Sequence, residues 1–215
     1  MSTTLSARDL AACLLEVGAV RLQPLAPFTW ASGLKSPIYC DNRQLLGHPE
    51  VRGQIVAALV QGAAAHQPTL IAGAATAGVP WAAMVADRMQ LPMAYVRPTP
   101  KNHGMGRQVE GPLAKGHCVV LIEDLISTGM SSLRCADALR AEGAEVPVVL
   151  ALFSYGLPQA EAAFRDAAVG LSVLSSFEVL AAEAEARGIL DAGGQSALKD
   201  WRADTAAWSR ARGGA

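Results

Sequence analysis

Five apolar residues in a row, Cys118-Val119-Val120-Leu121-Ile122, run directly into two adjacent carboxylates, Glu123 and Asp124. A strand with one solvated face alternates apolar and polar side chains, so an unbroken apolar run predicts a strand covered on both faces. Such strands sit at the centre of a mainly parallel sheet with helices on either side. The chain repeats the theme. Short apolar runs recur in "TLIAGAATAG", "MAYVR", "VPVVLALFSY" and "LSVLSS", and helical patterns follow most of them, over about 79–89, up to about Ala141, and after Tyr155. Strands alternating with helices predict βαβ units and an α/β fold.

Around this alternation the reading is simpler. Ser6 and Asp9 form a capping box with a shorter acid, Leu10, Leu14 and Val17 share one helix face, and Gly18 ends that helix. "FTWASGLKSPIYCDNR", from Phe28 to Arg43, is dense in turn formers and aromatics and reads as a hairpin or loop. An Ala-rich helix is expected over 48–66. The tail from Phe177 to Ala215 reads as helical and surface-facing, with fraying last residues. Trp201 and Trp208 are expected to be packing anchors, and His48, His66 and His117 surface or strand-end residues.

Composition excludes several classes. The 215 residues are 51% hydrophobic and 17% charged, enough to bury a sizeable core. With 18 Lys+Arg against 19 Asp+Glu the net charge of −1 gives no electrostatic reason to bind nucleic acid or a membrane surface. Cys13, Cys40, Cys118 and Cys135 are scattered and lack metal-ligand spacing, which leans towards free thiols in a reducing cytoplasm. The start "MSTTLSARDL" has no signal-peptide pattern, and no apolar run approaches the roughly 18 residues of a membrane helix. A soluble, cytoplasmic protein is expected.

The acid pair is where chemistry enters. In open α/β sheets ligands sit beyond the carboxyl ends of the strands. After Asp124 comes Leu125-Ile126 and then a small-residue turn, Ser127-Thr128-Gly129, leading through Met130 and Ser131 into a helix. Backbone N–H groups and hydroxyls at a helix start make an anion site. Carboxylates repel phosphate but accept hydrogen bonds from sugar hydroxyls, or hold Mg²⁺ directly or through water. The stretch is therefore complementary to a ribose 5-phosphate. The competing reading is a pair of solvated strand-end caps.

"GAATAG", Gly73 to Gly78, has Val79 where a Walker A loop needs Lys, so it is no such loop. It remains a second small-residue turn, either for a second phosphate or for backbone conformation alone. "GMGRQVEG" contains G-x-G but opens no helix. It lies in the long polar connection between Arg97 and His117, and Gly/Pro-rich connections of that length are usually functional or disordered.

Taken together, "VVLIEDLISTGMSS" resembles the phosphoribosyl pyrophosphate signature of type I phosphoribosyltransferases. "FTWASGLKSPIYCDNR" resembles the N-terminal hood of the orotate phosphoribosyltransferases, and "YVRPTPKNHGMGRQVEG" their catalytic loop. "LKDWRADTAAW" is similar to the C-terminal end of their bacterial branch. The resemblance spans nearly the whole chain in order. It implies the type I phosphoribosyltransferase fold, with a helix and small hood over 1–45 and a core with C-terminal helices over 46–215, forming one structural unit.

The resemblance also implies roles. Glu123 and Asp124 would accept the ribose hydroxyls, and Leu125, Ile126, Ser127, Thr128, Gly129, Met130 and Ser131 would hold the 5-phosphate, with Ser127 also approaching orotate. Arg97, Lys101 and His103 would meet the pyrophosphate. Lys101, His103 and Asp124 are the implied catalytic residues, His103 as a hydrogen-bond donor or as a general acid. Mg²⁺ would be bound mainly through the substrate, with no dedicated protein cage. A homodimer is implied, with loop 98–116 acting on the neighbouring subunit. The implied reaction is phosphoribosyl transfer to orotate in pyrimidine biosynthesis. Alternatives are a purine or uracil acceptor, or a non-catalytic nucleotide sensor. The chain departs from many relatives by having Ala31, Ala77 and Pro98 where they have Lys. It also has no clear counterpart, near Ser154-Tyr155-Gly156-Leu157, of an Arg that contacts the orotate carboxylate in some members. Lys35 and Arg43 are basic residues able to compensate, or simply solvated.

Overall fold

The alternation is present in the computed structural model, which describes residues 5–30, 33–99, 108–113 and 115–215. Helix α1 (Ala7–Glu16) is followed by short strands β1 (Val20–Leu22), β2 (Phe28–Thr29), β3 (Lys35–Ser36) and β4 (Ile38–Cys40), then a 3-10 turn over Asn42–Gly47 and α2 (Pro49–Ala64). The core continues as β5 (Leu70–Ala74), α3 (Gly78–Met89), β6 (Met93–Val96), β7 (Val109–Glu110), β8 (Cys118–Ile126), α4 (Met130–Ala141), β9 (Glu145–Ser154), α5 (Pro158–Asp166) and β10 (Gly170–Ser176). Helices α6 (Phe177–Ala186), α7 (Ala192–Ala203) and α8 (Thr205–Arg210) complete it.

The six-stranded sheet has the order β10-β9-β8-β5-β6-β7, and every pairing is parallel except β6 with β7. Along β8, Val119 to Ile122 are fully buried. Val120 and Ile122 join a core layer with α1, α2, α3, α6 and α7, while Val119 and Leu121 join a second layer with α4 and α5. An unbroken apolar run serves both faces because successive side chains point opposite ways. Pro147 sits near the start of β9 where the register with β8 shifts, so its missing N–H falls at a bulge.

Two expectations need correction. The C-terminal helices are not a surface appendage: Leu180 is fully buried, and Trp201 and Leu198 are 1% and 2% exposed. Trp201 packs edge-on against Trp30 and Tyr155, and Trp208 is also buried, so both are anchors as expected. The last residues do not fray. Lys35 N–H donates to Ser209 Oγ (2.8 Å), Ser209 Oγ donates to the Ala215 oxygen (2.9 Å), and Ala215 N–H donates to Gly33 O (3.1 Å). The polar Gly/Ala composition that suggested fraying instead lets the backbone press closely on β3.

The Ser6 capping box on α1 is complete, with Asp9 accepting from the Ser6 N–H at 3.0 Å. The Phe28–Arg43 segment forms a β2–β3 hairpin, then β4 pairs antiparallel with β1. Gly78 opens α3 against β8 at such close range that a Cβ there would overlap the Ile122 carbonyl oxygen. That glycine is needed for helix–strand packing rather than for an unusual φ.

Candidate active site

β8 does not end before the acids; it runs on through Ile126. Glu123 and Asp124 therefore point to opposite faces of the sheet. Glu123 is 7% exposed and turned to the α4 side, where its Oε2 accepts from Ser132 Oγ at 3.0 Å. Its Oε1 accepts from the Asp124 N–H at 3.1 Å. Asp124 is half-buried on the hood side. Its main-chain oxygen accepts from Asn42 Nδ2 at 2.7 Å. Neither Asn42 nor Ser132 was singled out from the sequence. Asn42 lies in a run of turn formers and Ser132 inside a helix pattern, and nothing local to either names a partner.

Burial, reinforced by the neighbouring Asp124 charge, pushes the Glu123 carboxyl well above the ordinary carboxylate range. Burial pushes Asp124 upward too, against the pull of its hydrogen bond with Glu123 and of the Arg43 charge. The folded protein thus holds a proton on this pair that the unfolded chain releases. Its stabilising contribution is full below the ordinary carboxylate range and is lost as pH rises through the raised value. Glu123→Gln removes the charge at every pH. Its thermal midpoint relative to wild type should rise from about pH 5.5 to about pH 8.5. An equal difference at both would mean that Glu123 titrates as a free carboxyl.

The turn beyond the acids opens α4 with Gly129 as its N-cap at φ +78, and no side chain caps the helix. A Cβ on Gly129 would meet the Phe164 ring at 2.7 Å. Only glycine fits that conformation at that distance. The first-turn amides of α4 are left pointing at the open end of the sheet, with half-buried Ser127 and exposed Thr128, Met130 and Ser131 around them. Ile126 is fully buried and its carbonyl accepts from the Tyr155 N–H at 3.0 Å, while Leu125 packs on the hood-side core.

Arg97 follows β6 at the same end of the sheet, ion-paired with Glu110 at 3.8 Å. Its N–H donates to Gln108 O (2.9 Å) and its own carbonyl accepts from Gln108 Nε2 (2.8 Å). With the β6–β7 pairing, this closes the base of the long connection, and the 98–116 segment expected from sequence contains strand residues at 109–110. Lys101, His103 and Ala31 lie outside the described residues.

Of the two basic hood residues, Lys35 donates from Nζ to Thr29 Oγ1 at 2.7 Å and Arg43 donates from Nε to Asp41 Oδ1 at 2.6 Å. The hood's Trp30 stacks on Tyr155, the residue after β9, with ring centroids 5.6 Å apart. At Gly156 the guanidinium of Arg202 lies within 3.3 Å of where a Cβ would be, with Nε donating weakly to the Gly156 oxygen at 3.4 Å.

A family model described as the phosphoribosyl transferase domain matches residues 44–177. The orotate phosphoribosyltransferase of Bacillus cytotoxicus is 47% identical over 205 residues, covering 94% of this chain and 98% of its own. That of Streptococcus mutans is 48% identical over 204 residues with the same shares. The crystal structure of orotate phosphoribosyltransferase from Aeropyrum pernix superposes with a TM-score of 0.72 at 34% identity, over 85% of this chain and 99% of that one. Leishmania donovani UMP synthase shares the fold, with a TM-score of 0.77 at 24% identity over 92% of this chain and 42% of its own.

Proposed function

The chain belongs to the orotate phosphoribosyltransferases, within the phosphoribosyl transferase domain family, and we propose how its residues divide the reaction among themselves. The reaction joins orotate to the phosphoribosyl group of 5-phosphoribosyl 1-pyrophosphate, giving orotidine 5'-monophosphate and pyrophosphate in pyrimidine biosynthesis. One observation carries the assignment of the donor site: a buried strand bearing Glu123 and Asp124 runs straight into the uncapped start of α4.

Glu123 and Asp124 accept the ribose hydroxyls. The 5-phosphate, repelled by those carboxylates, lies further along at Ser127 to Ser131, on backbone amides reached from Leu125 and Ile126. Ser127 also faces orotate. Breaking the C1–pyrophosphate bond builds positive charge on the ribose and negative charge on the leaving group. Asp124 opposes the first, and Arg97, Lys101 and His103 oppose the second. Arg97 exchanges its long, half-exposed contact with Glu110 for pyrophosphate at little cost. Orotate's ring nitrogen then attacks C1 and gives up its proton to the departing pyrophosphate, with water excluded by the loop.

Among the described residues no group of three or more His, Cys, Asp or Glu side chains is placed to hold a metal. The two carboxylates supply hard oxygens that suit Mg²⁺ directly or through water, with the substrate's own oxygens as its main ligands. When bound, Mg²⁺ neutralises charge on the pyrophosphate. We further propose a homodimer whose loop 98–116 acts on the neighbouring subunit, a division into 1–45 and 46–215 within one structural unit, and a cytoplasmic setting. Among the described residues no helix is long and apolar enough to cross a membrane.

Incubation with phosphoribosyl pyrophosphate, Mg²⁺ and single bases tests the acceptor. Orotate should be consumed with release of pyrophosphate. Consumption of uracil or xanthine but not orotate would overturn the acceptor assignment, and no turnover with any base would favour a sensor.

A further inference from the structure

Among the described residues, the acid-bearing strand has a strand neighbour on one edge only where its acids lie. β5 pairs with β8 only as far as Gly73 opposite Ile122, whereas β9 continues alongside to Ile126. The stretch carrying Glu123 and Asp124 is therefore an overhang, supported on one edge. On that overhang the Asp124 carbonyl accepts from the carboxamide of Asn42, 82 residues away in sequence, at 2.7 Å. Asn42 is 1% exposed, unlike an ordinary turn asparagine, which faces water and bonds its own backbone. Its Oδ1 accepts from Cys40 Sγ at 3.2 Å, and Cys40 ends β4 of the hood. A single buried side chain thus joins the hood, the 3-10 turn and the acid strand.

We propose that Asn42 is a positioning residue of the donor site: its carboxamide stands in for the missing β5 neighbour, holds the Glu123–Asp124 overhang in the position that receives the ribose hydroxyls, and links that position to the hood. This rests on the donor-site reading above. A strand laddered only to β9 has no strand partner to fix its other edge, and sugar hydroxyls accept little error in the placement of their acceptors. The bond is also directional. Only a donor at residue 42 supports it, because the partner is a carbonyl. Asn42→Asp puts an acceptor there when ionised and a donor again when protonated, in nearly the same volume. Asn42→Ala supplies a donor at no pH.

Calorimetric binding of phosphoribosyl pyrophosphate with Mg²⁺, on variants shown to be folded by circular dichroism, tests this without needing turnover. Asn42→Ala should weaken binding by about tenfold, with the KM for orotate changed less than about twofold. Asn42→Asp should bind at least as weakly near about pH 8 and recover towards wild type near about pH 6, relative to wild type at each pH. Wild-type affinity in both variants overturns the inference, as does an identical pH dependence in the two. Loss of the folded state in both overturns it as well, by assigning the bond to the fold alone. Failure of the wild type itself to bind the donor would overturn the donor-site reading and this inference with it. Wild-type binding with unaffected variants removes only the role of Asn42.

Discussion

Lys101→Ala protein should bind phosphoribosyl pyrophosphate within a few-fold of wild type and turn over roughly a hundredfold more slowly, or worse. A fixed cation aimed at charge that develops only in the transition state contributes to kcat and little to ground-state affinity. The segment carrying Lys101 leaves the sheet after Arg97 and returns at Gln108, and the reciprocal Arg97–Gln108 hydrogen bonds hold its two ends together at the end of the sheet where the acids lie. Four extended residues from Arg97 reach at most about 14 Å, so reach alone does not choose between a subunit's own site and its neighbour's. Mixing does. Lys101→Ala and Asp124→Asn chains should each be impaired, but a hybrid of the proposed homodimer, with its loop acting across the interface, would contain one intact site. Partial recovery of activity on mixing is the expected result, and no recovery would place the loop in its own subunit. Unchanged turnover in Lys101→Ala would remove that residue from the mechanism.

What the sequence made legible was what short-range pattern encodes. The apolar run at Cys118–Ile122 identified the central strand because burial on both faces leaves no room for alternation. The acid pair and Gly129 marked the candidate site because a strand end, a turn and a helix start are contiguous in the chain. Contacts across the chain were not legible. β7 is two residues long and exists because β6 offers it an edge, so its own residues carry no strand signal. Leu198 looked peripheral because the helix around it carries Lys199, Asp200 and Arg202, yet its apolar side and that of the expected anchor Trp201 close the layer over β9 and the hood. Asn42 read as a turn former, and its role depends wholly on where β5 stops. The continuation of β8 through Ile126 was hidden as well, because two carboxylates and a turn signal mark a strand end in most sequences. That continuation is what separates the two acids: equivalent in sequence, they face different sides and make different bonds.

Asp124→Asn should follow from that separation. Replacing a carboxylate that accepts from a ribose hydroxyl costs a charge-assisted hydrogen bond, about 1.5–3 kcal/mol, or about ten- to a hundredfold in kcat/KM for the donor. The same substitution removes a half-buried charge whose carboxyl is already driven upward by burial. The free protein should therefore melt no lower than wild type, and higher above neutral pH, where the wild-type pair is forced to ionise inside the fold. Glu123→Gln shares the stability gain but should lose less donor affinity, since both Glu123 oxygens are already engaged by Ser132 and the Asp124 N–H. Steady-state kinetics against the donor, set beside thermal melts of the same preparations, separates the effects. A fall in melting temperature that tracks the fall in kcat/KM would mean that Asp124 serves the fold rather than the sugar. Equal losses in the two variants would mean that Glu123 serves the ribose as strongly as Asp124 does, despite its bonds to Ser132 and the Asp124 N–H.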